Sequence, residues 1–220
     1  SELLKDIALD HGVESFDVLT GFKYIAEIIR KLEGQQTFIG GGEESYGYLV
    51  GDKVRDKDAV MACCMLAETA VWAKDKGLTM YEMLVDIYHQ YGFYLEDLIS
   101  ITKKGKSGAE EIQQMMQNFR NDPPRQISGQ EVILVKDYKF QKAYNLKDGT
   151  NSIIDLPSSD VLQFFLASGS KITVRPSGTE PKIKFYFGVK GLLADKKQFK
   201  QINNQMSEQL QEIITSMGLR

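Results

Sequence analysis

A chain of 220 residues is long enough for one large domain or two modest ones, each with its own core. With 42% hydrophobic and 26% charged residues it has a globular composition, which excludes a disordered or collagen-like chain. A net charge of −3 removes any general electrostatic drive toward nucleic acid or an acidic membrane, so neither partner is expected, although a local anion site stays compatible with it.

Leu3, Leu4, Ile7 and Ala8 stand at helical spacing and Gly12 ends that helix. Residues 13–19 read as a short strand. "TGFK" (Thr20–Lys23) turns into a helix carrying Ile25, Ile28, Ile29 and Leu32. "TFIGG" reads as a buried strand running into a Gly-rich loop, "GGEESYG". "AVMACCMLAETAVWA" is apolar nearly all round, which predicts a helix buried on most sides, with the Met and Cys cluster 61–65 in the core. Cys63 and Cys64 are adjacent, so they form no disulfide framework, and no Cys/His set has metal-ligand spacing; both points fit a reducing, cytoplasmic setting. Thr79 with Glu82 is a capping box for a helix over 80–90.

A change of composition follows at "LISITKKGKSG" (98–108), a strand and then a basic connection, and places a domain boundary between residues 97 and 98. Ser107 with Glu110 forms a second capping box, for a helix to about Phe119 that "NDPPR" breaks. Strands are predicted near 131–135, 140–145 and 152–156, with "KDG" (147–149) as a turn, and "SSDVLQFFL" as a short helical turn. A hairpin spans Lys171–Phe187, and the tail from Asp195 is an amphipathic helix with Phe199, Ile202, Met206, Leu210 and Ile213 on one face. The expected fold class is therefore α/β plus α+β: a mixed first part, then an antiparallel sheet with helices. No stretch approaches the roughly 18 apolar residues of a membrane span, no leader pattern stands at the start, and the opening on Ser1 in place of Met suggests a piece of a longer polypeptide.

Two loops carry the chemistry. The tip of the last hairpin is "RPSGTEPK" (175–182). Pro176 and Pro181 stiffen it, leaving the backbone N–H groups between them free of obligatory sheet pairing. Gly178 permits positive φ, so those groups can converge into a nest. Ser177 and Thr179 add hydroxyls, and Arg175 adds a planar fork suited to phosphate oxygens. The same residues also make a plain rigid turn. The second loop, "GGEESYGYLVGDKVRDKDA" from Gly41, places carboxylates where a phosphate would be repelled. Glu43 and Ser45 suit sugar hydroxyls instead, with Glu44 pointing the other way; a helix-start cap is the plainer reading. Arg55, Lys57 and Lys23 either approach a ligand phosphate or are solvated charges. "DKD" (56–58) offers too few oxygens for a metal, and His11 and His89 read as surface residues.

In order and spacing, "TGFK", "GEESYG" and "RPSGTEPK" together resemble the α-D-phosphohexomutase superfamily over essentially all 220 residues, and "GEESYGYL…VRDKDA" looks closest to bacterial phosphoglucomutases. That resemblance implies a partial domain 3 (1–97, sugar-recognition loop 41–47) and a domain 4 of TATA-binding-protein-like fold (98–220, phosphate-binding loop 175–182). It implies the C-terminal part of an enzyme that interconverts hexose 1-phosphate and hexose 6-phosphate through a phosphoserine and a hexose 1,6-bisphosphate intermediate. The "SHNP"-like serine loop and the "DxDxD" Mg²⁺ site of that family have no counterpart here, so Mg²⁺ and the phosphoserine are expected outside this chain, on N-terminal domains of the same polypeptide. The resemblance gives Glu43, Ser45, Lys23, Arg175, Ser177, Gly178 and Thr179 substrate-binding roles, and Lys57 a role near the reacting centre. On this reading the chain alone is inactive. The alternative is a non-catalytic module that binds sugar phosphates.

Overall fold

The computed structural model describes residues 1–43, 46–178 and 180–219. They cluster into two compact units, one of residues 14–86 and one of Ser1–Val13 with residues 87–220.

The 14–86 unit holds α2 (Phe22–Leu32), β1 (Gly40–Glu43), β2 (Gly47–Val50), α3 (Ala59–Asp75) and most of α4 (Met80–Tyr91). Gly21, at φ 122°, makes the turn into α2. The apolar stripe of α2 joins Phe22 and Ile29 to Leu49 of β2, with Ile25 and Phe38 at the edge. Glu82 closes the predicted capping box on Thr79, accepting from its N–H and hydroxyl while the Thr79 hydroxyl accepts from the Glu82 N–H.

Three expectations fail in this unit. Residues 13–19 form no strand, and "TFIGG" contributes only its last residues to β1, with Ile39 exposed. The only ladder β1 has among the described residues is with β2, from Gly40↔Val50 to Glu43↔Gly47, and a strand without a partner leaves its backbone to solvent. Helix α3 forms as predicted but is not buried on most sides. It packs on β2, and only Ala73 is buried, while Leu66 and Trp72 stay 57% and 55% exposed. Hydrophobicity on every side of a helix demands burial only where other chain is present to cover it. Cys63 and Cys64 are exposed with it, not core residues. Both thiols are expected to react with maleimide in the folded chain at a rate close to that in denaturant; protection by an order of magnitude, read by mass spectrometry, would contradict this placement.

In the other unit, β3 (Phe93–Thr102), α5 (Gly105–Asn121), β4 (Gln126–Ile127), β5 (Gln130–Asp137), β6 (Lys142–Asn145), β7 (Asn151–Ile153), β8 (Leu162–Leu166), β9 (Lys171–Pro176), β10 (Lys182–Gly191) and α6 (Phe199–Ser216) follow α1 (Glu2–Asp10). The strands build an antiparallel sheet in the order β3-β10-β9-β8-β5-β6-β7, with β4 on β5. Alternation sends Ile172, Val174, Ile183, Phe185, Phe187 and Val189 to one buried face. Helix α5 covers that face through Phe119, set against Phe164 and Phe185. Helix α6 covers it through Phe199 against Phe93 and through buried Met206, Leu210 and Ile213.

Here too the sequence reading needs correction. The strand expected from Leu98 starts at Phe93, because β3 pairs with β10 over its whole length. Helix α5 starts at Gly105, with Lys104 at its cap, and not from the Ser107 capping box. "SSDVLQFFL" is not a helical turn: Leu162–Leu166 is β8, held between β5 and β9. His89, by contrast, is exposed as expected, and its Nδ1 meets the Leu193 carbonyl at 2.8 Å.

Helix α1 has no buried residue and rests on the polar face of the sheet through its carboxylates. Glu2 pairs with Lys171, and Asp6 with Lys190 at 3.0 Å and with the Tyr94 hydroxyl. Burial works against the Glu2 carboxylate, but hydrogen bonds from Lys171 and Lys5 outweigh it and bring its pKa from 4.5 to about 2. A carboxyl lowered on folding contributes stability that is present above its unfolded pKa and lost as pH falls toward its folded one. The hold of α1 is therefore expected to weaken between about pH 4.5 and 2, read as a Glu2→Gln chain whose acid unfolding curve is flatter there.

Candidate functional site

The 14–86 unit brings Glu43 and Lys57 together at the β1–β2 hairpin. Glu43 ends β1, half-buried, opposite Gly47. The stem of Lys57 lies against Gly47, and its ammonium sits 4.8 Å from the Phe22 ring centroid and 2.8 Å from Asp56 Oδ1. The hydrogen bond to Asp56 raises the Lys57 pKa, and the Glu43 charge adds to the rise. The lysine is thus held as a cation. Ser45, like Glu44, lies outside the described residues.

The neighbouring charges resolve differently. Arg55 pairs with Glu33 at 2.7 Å, so it is occupied on the surface. Asp58 is the N-cap of α3, accepting from the Met61 N–H at 3.0 Å. Lys23 is exposed and stacks 4.6 Å over the ring of Tyr24. No hydrogen bond or ion pair among the described residues joins it to Glu43 or Lys57.

The second cluster surrounds the β9–β10 hairpin. Register sets Lys184 of β10 directly opposite Arg175 of β9. Both have the parity opposite to the buried Val174, Ile183 and Phe185, so two cations share the polar face at the base of the loop. Like charges placed opposite each other across strands repel, and an anion between them relieves that repulsion. Sequence reading missed Lys184, although the alternation of "KIKFYF" already carried the signal.

Inside the loop, the expected nest does not form. The Ser177 N–H donates to the Lys182 carbonyl at 2.7 Å, and the Glu180 N–H to Ser177 Oγ at 3.3 Å. Gly178 does not adopt positive φ. What its missing side chain leaves is open space, since a β-carbon there would meet nothing within 4 Å. Thr179 lies outside the described residues. Lys182 binds Glu180 at 2.9 Å and holds that carboxyl below its usual range, with Lys184 adding to the effect.

On the helix side of the hairpin, a groove of about 530 Å³ runs between Gly105, Ala109 and Ile112 of α5 and Ser177, Gly178 and Pro181. Asp160 lines it, held by Arg120, which also bonds Asp137 at 3.2 Å. This triad had no visible signal in the sequence, because its members lie 17 and 40 residues from the arginine. Among the described residues there is no group of three or more His, Cys, Asp or Glu side chains placed to hold a metal, and no helix long and apolar enough to cross a membrane.

The chain is thus of the α/β plus α+β class: an α/β segment with a carboxylate–lysine hairpin, then an antiparallel sheet with two cations in register beneath its last hairpin loop. Comparison with known proteins makes the assignment specific. Residues 1–91 match the family described as "Phosphoglucomutase/phosphomannomutase, alpha/beta/alpha domain III". A phosphoglucomutase of Staphylococcus aureus (strain MRSA252) is 42% identical over 190 residues, covering 86% of this chain and 34% of the relative. One of Staphylococcus haemolyticus is 38% identical over 188 residues, with the same coverage. A crystal structure of pp63/parafusin, a phosphoglucomutase from Paramecium in an open form, aligns with 98% of this chain and 36% of its own at a TM-score of 0.57 and 17% identity, a likeness of fold. The chain belongs to the phosphoglucomutase/phosphomannomutase family, as its domain III segment followed by its C-terminal region. It spans about a third of the length of the curated relatives it matches.

Proposed function

We propose that the chain works as the sugar- and phosphate-holding part of a mutase that interconverts hexose 1-phosphate and hexose 6-phosphate. The observation that carries the reading is the Arg175–Lys184 pair: two cations in cross-strand register beneath the loop tip, whose mutual repulsion a bound anion would relieve. The non-reacting phosphate of the sugar is the proposed occupant, with Ser177, Gly178 and Thr179 around it. Glu43 and Ser45 take the sugar hydroxyls, and Lys23 is a further proposed ligand contact. The proposed division of labour is sugar reading within residues 1–97 and phosphate anchoring within 98–220.

The chemistry follows from a fixed anchor serving two orientations of one sugar. A phosphoserine outside this chain passes its phosphoryl group to the free sugar hydroxyl, whose proton ends on the serine oxygen as the serine O–P bond breaks. The resulting bisphosphate reorients, and the other phosphoryl group returns to the serine. Mg²⁺, bound outside this chain, would supply charge neutralisation at the transferred group. Within the chain, Arg175 and Lys184 hold the remote phosphate so that binding energy there serves positioning, the main component of phosphoryl-transfer catalysis. Lys57, kept protonated by Asp56, offers a positive charge to developing negative oxygens.

The test is a chimera in which this chain replaces the corresponding C-terminal third of the Staphylococcus aureus relative. The chimera is expected to convert glucose 1-phosphate to glucose 6-phosphate, and the isolated chain to show no turnover. Turnover by the isolated chain, or a folded chimera that binds hexose phosphates without turnover, would replace this reading by another; the second result is the one a non-catalytic sugar-phosphate module predicts.

A further inference from the structure

Any side chain at position 47 would force Phe22 or Lys57 to move. A β-carbon there would lie 2.8 Å from the Phe22 ring and 2.9 Å from both Cγ and Cδ of Lys57. Its φ is unremarkable, so the requirement is steric and not conformational. The lysine stem is therefore laid in a slot between an aromatic ring and a bare strand backbone. At the far end of that stem Asp56 Oδ1 accepts from the Lys57 backbone N–H at 2.7 Å and from its ammonium at 2.8 Å. One carboxylate oxygen thus ties the root of the side chain to its head. The charged groups facing the ammonium are Asp56 from its own loop and Glu43 from β1; α2 presents Phe22 and β2 presents Gly47.

We propose that Asp56, Gly47 and Phe22 are positioning residues for Lys57, seating its stem and fixing its ammonium beside the Glu43–Gly47 pair so that it meets an anionic oxygen of the ligand. The identity of that ligand rests on the sugar-phosphate reading above; the seating does not. An exposed lysine ordinarily spreads over many rotamers and spends binding energy on being ordered. A lysine held at both ends is ordered before the ligand arrives, which is the condition for electrostatic stabilisation of a reacting centre.

The test is brief acetylation of the 220-residue chain with limiting acetic anhydride near pH 8.5, each lysine being read by peptide mass spectrometry, with Lys31 and Lys53 as internal references. Amines react only when deprotonated, so loss of the carboxylate partner speeds the reaction. Asp56→Asn and Gly47→Ala are each expected to raise acetylation of Lys57 by about threefold or more while the two references stay constant, and Asp56→Glu to return it toward the original rate. Unchanged Lys57 rates in both variants overturn the proposal, and so does a rise shared with Lys31 and Lys53, which reports only a loosened unit. In the chimera, Lys57→Ala separates the two readings. If Lys57 responds to Asp56→Asn but its own removal leaves kcat/KM intact, the seating stands and the function assigned to Lys57 falls. If its removal abolishes turnover while its acetylation ignores Asp56 and Gly47, the reverse holds.

Discussion

Replacing Arg175 by alanine in the chimeric mutase is expected to lower kcat/KM by roughly 30- to 1000-fold, the equivalent of about 2–4 kcal/mol for a lost charge-assisted pair to phosphate. The loss should appear in both KM and kcat, because the remote phosphate both binds the sugar and orients its reacting hydroxyl. Arg175→Lys keeps the charge but not the fork, so it should recover part of the loss. Lys184→Ala should cost less than Arg175→Ala, since Lys184 brings a single ammonium in place of two parallel donors. The folded sheet should tolerate all three, as Arg175 and Lys184 lie on its polar face and neither contributes to the buried one. An unchanged kcat/KM in Arg175→Ala removes the phosphate anchor from this loop.

The second large effect is on stability. Arg120 and Asp137 are the most enclosed ion pair among the described residues, with side chains 8% and 6% exposed. Asp160 completes the set at the rim of the groove behind the phosphate loop. Arg120→Ala leaves the Asp137 carboxylate buried without its cation, and unfolding in urea is expected to lose about 3–5 kcal/mol. Desolvation is the source of that loss, so removing both charges should undo most of it: Arg120→Met combined with Asp137→Leu is expected to be far closer to the original stability than either single change. A single-variant loss under about 1 kcal/mol would mean that water reaches the pair. Asp160→Asn is expected to be mild, because Asp160 is partly solvated, and it therefore reports on the groove without unfolding the unit.

These two sites differ in how far they were legible. "RPSGTEPK" announced itself through prolines, glycine, hydroxyls and an arginine within eight residues, all local signals. Even so, the reading of the loop as a backbone nest fails, because Ser177 and Glu180 spend their N–H groups inside the turn. The partner that matters, Lys184, came from cross-strand register. Arg120, Asp137 and Asp160 carry no local signal at all, since their meeting depends on how α5 crosses the sheet. In the first loop the carboxylate at Glu43 was visible, whereas the slot that holds Lys57 is built from Phe22, 35 residues earlier, and from a glycine whose role is to be absent from a space.

The errors of element type have one physical origin. Residues 162–166 are a short apolar run, compatible with helix or strand, and lateral hydrogen bonds to β5 and β9 decide for the strand. Residues 13–19 have strand-like composition and no ladder among the described residues, so they remain irregular. Helix α3 has the hydrophobicity of a buried element and, among the described residues, packs chiefly on β2.

By itself, then, the sequence determined what short-range physics determines: the helices with caps and stripes, the β9–β10 hairpin from its alternation, and the residue types gathered in the two loops. Three ordered motifs were also enough to point to the family. Only the tertiary structure decided which side chains face one another: Arg175 with Lys184, Arg120 with two aspartates, Lys57 with Phe22 and Gly47. Those pairings depend on strand register and on the packing of distant elements, where a shift of a single residue turns every side chain to the other face.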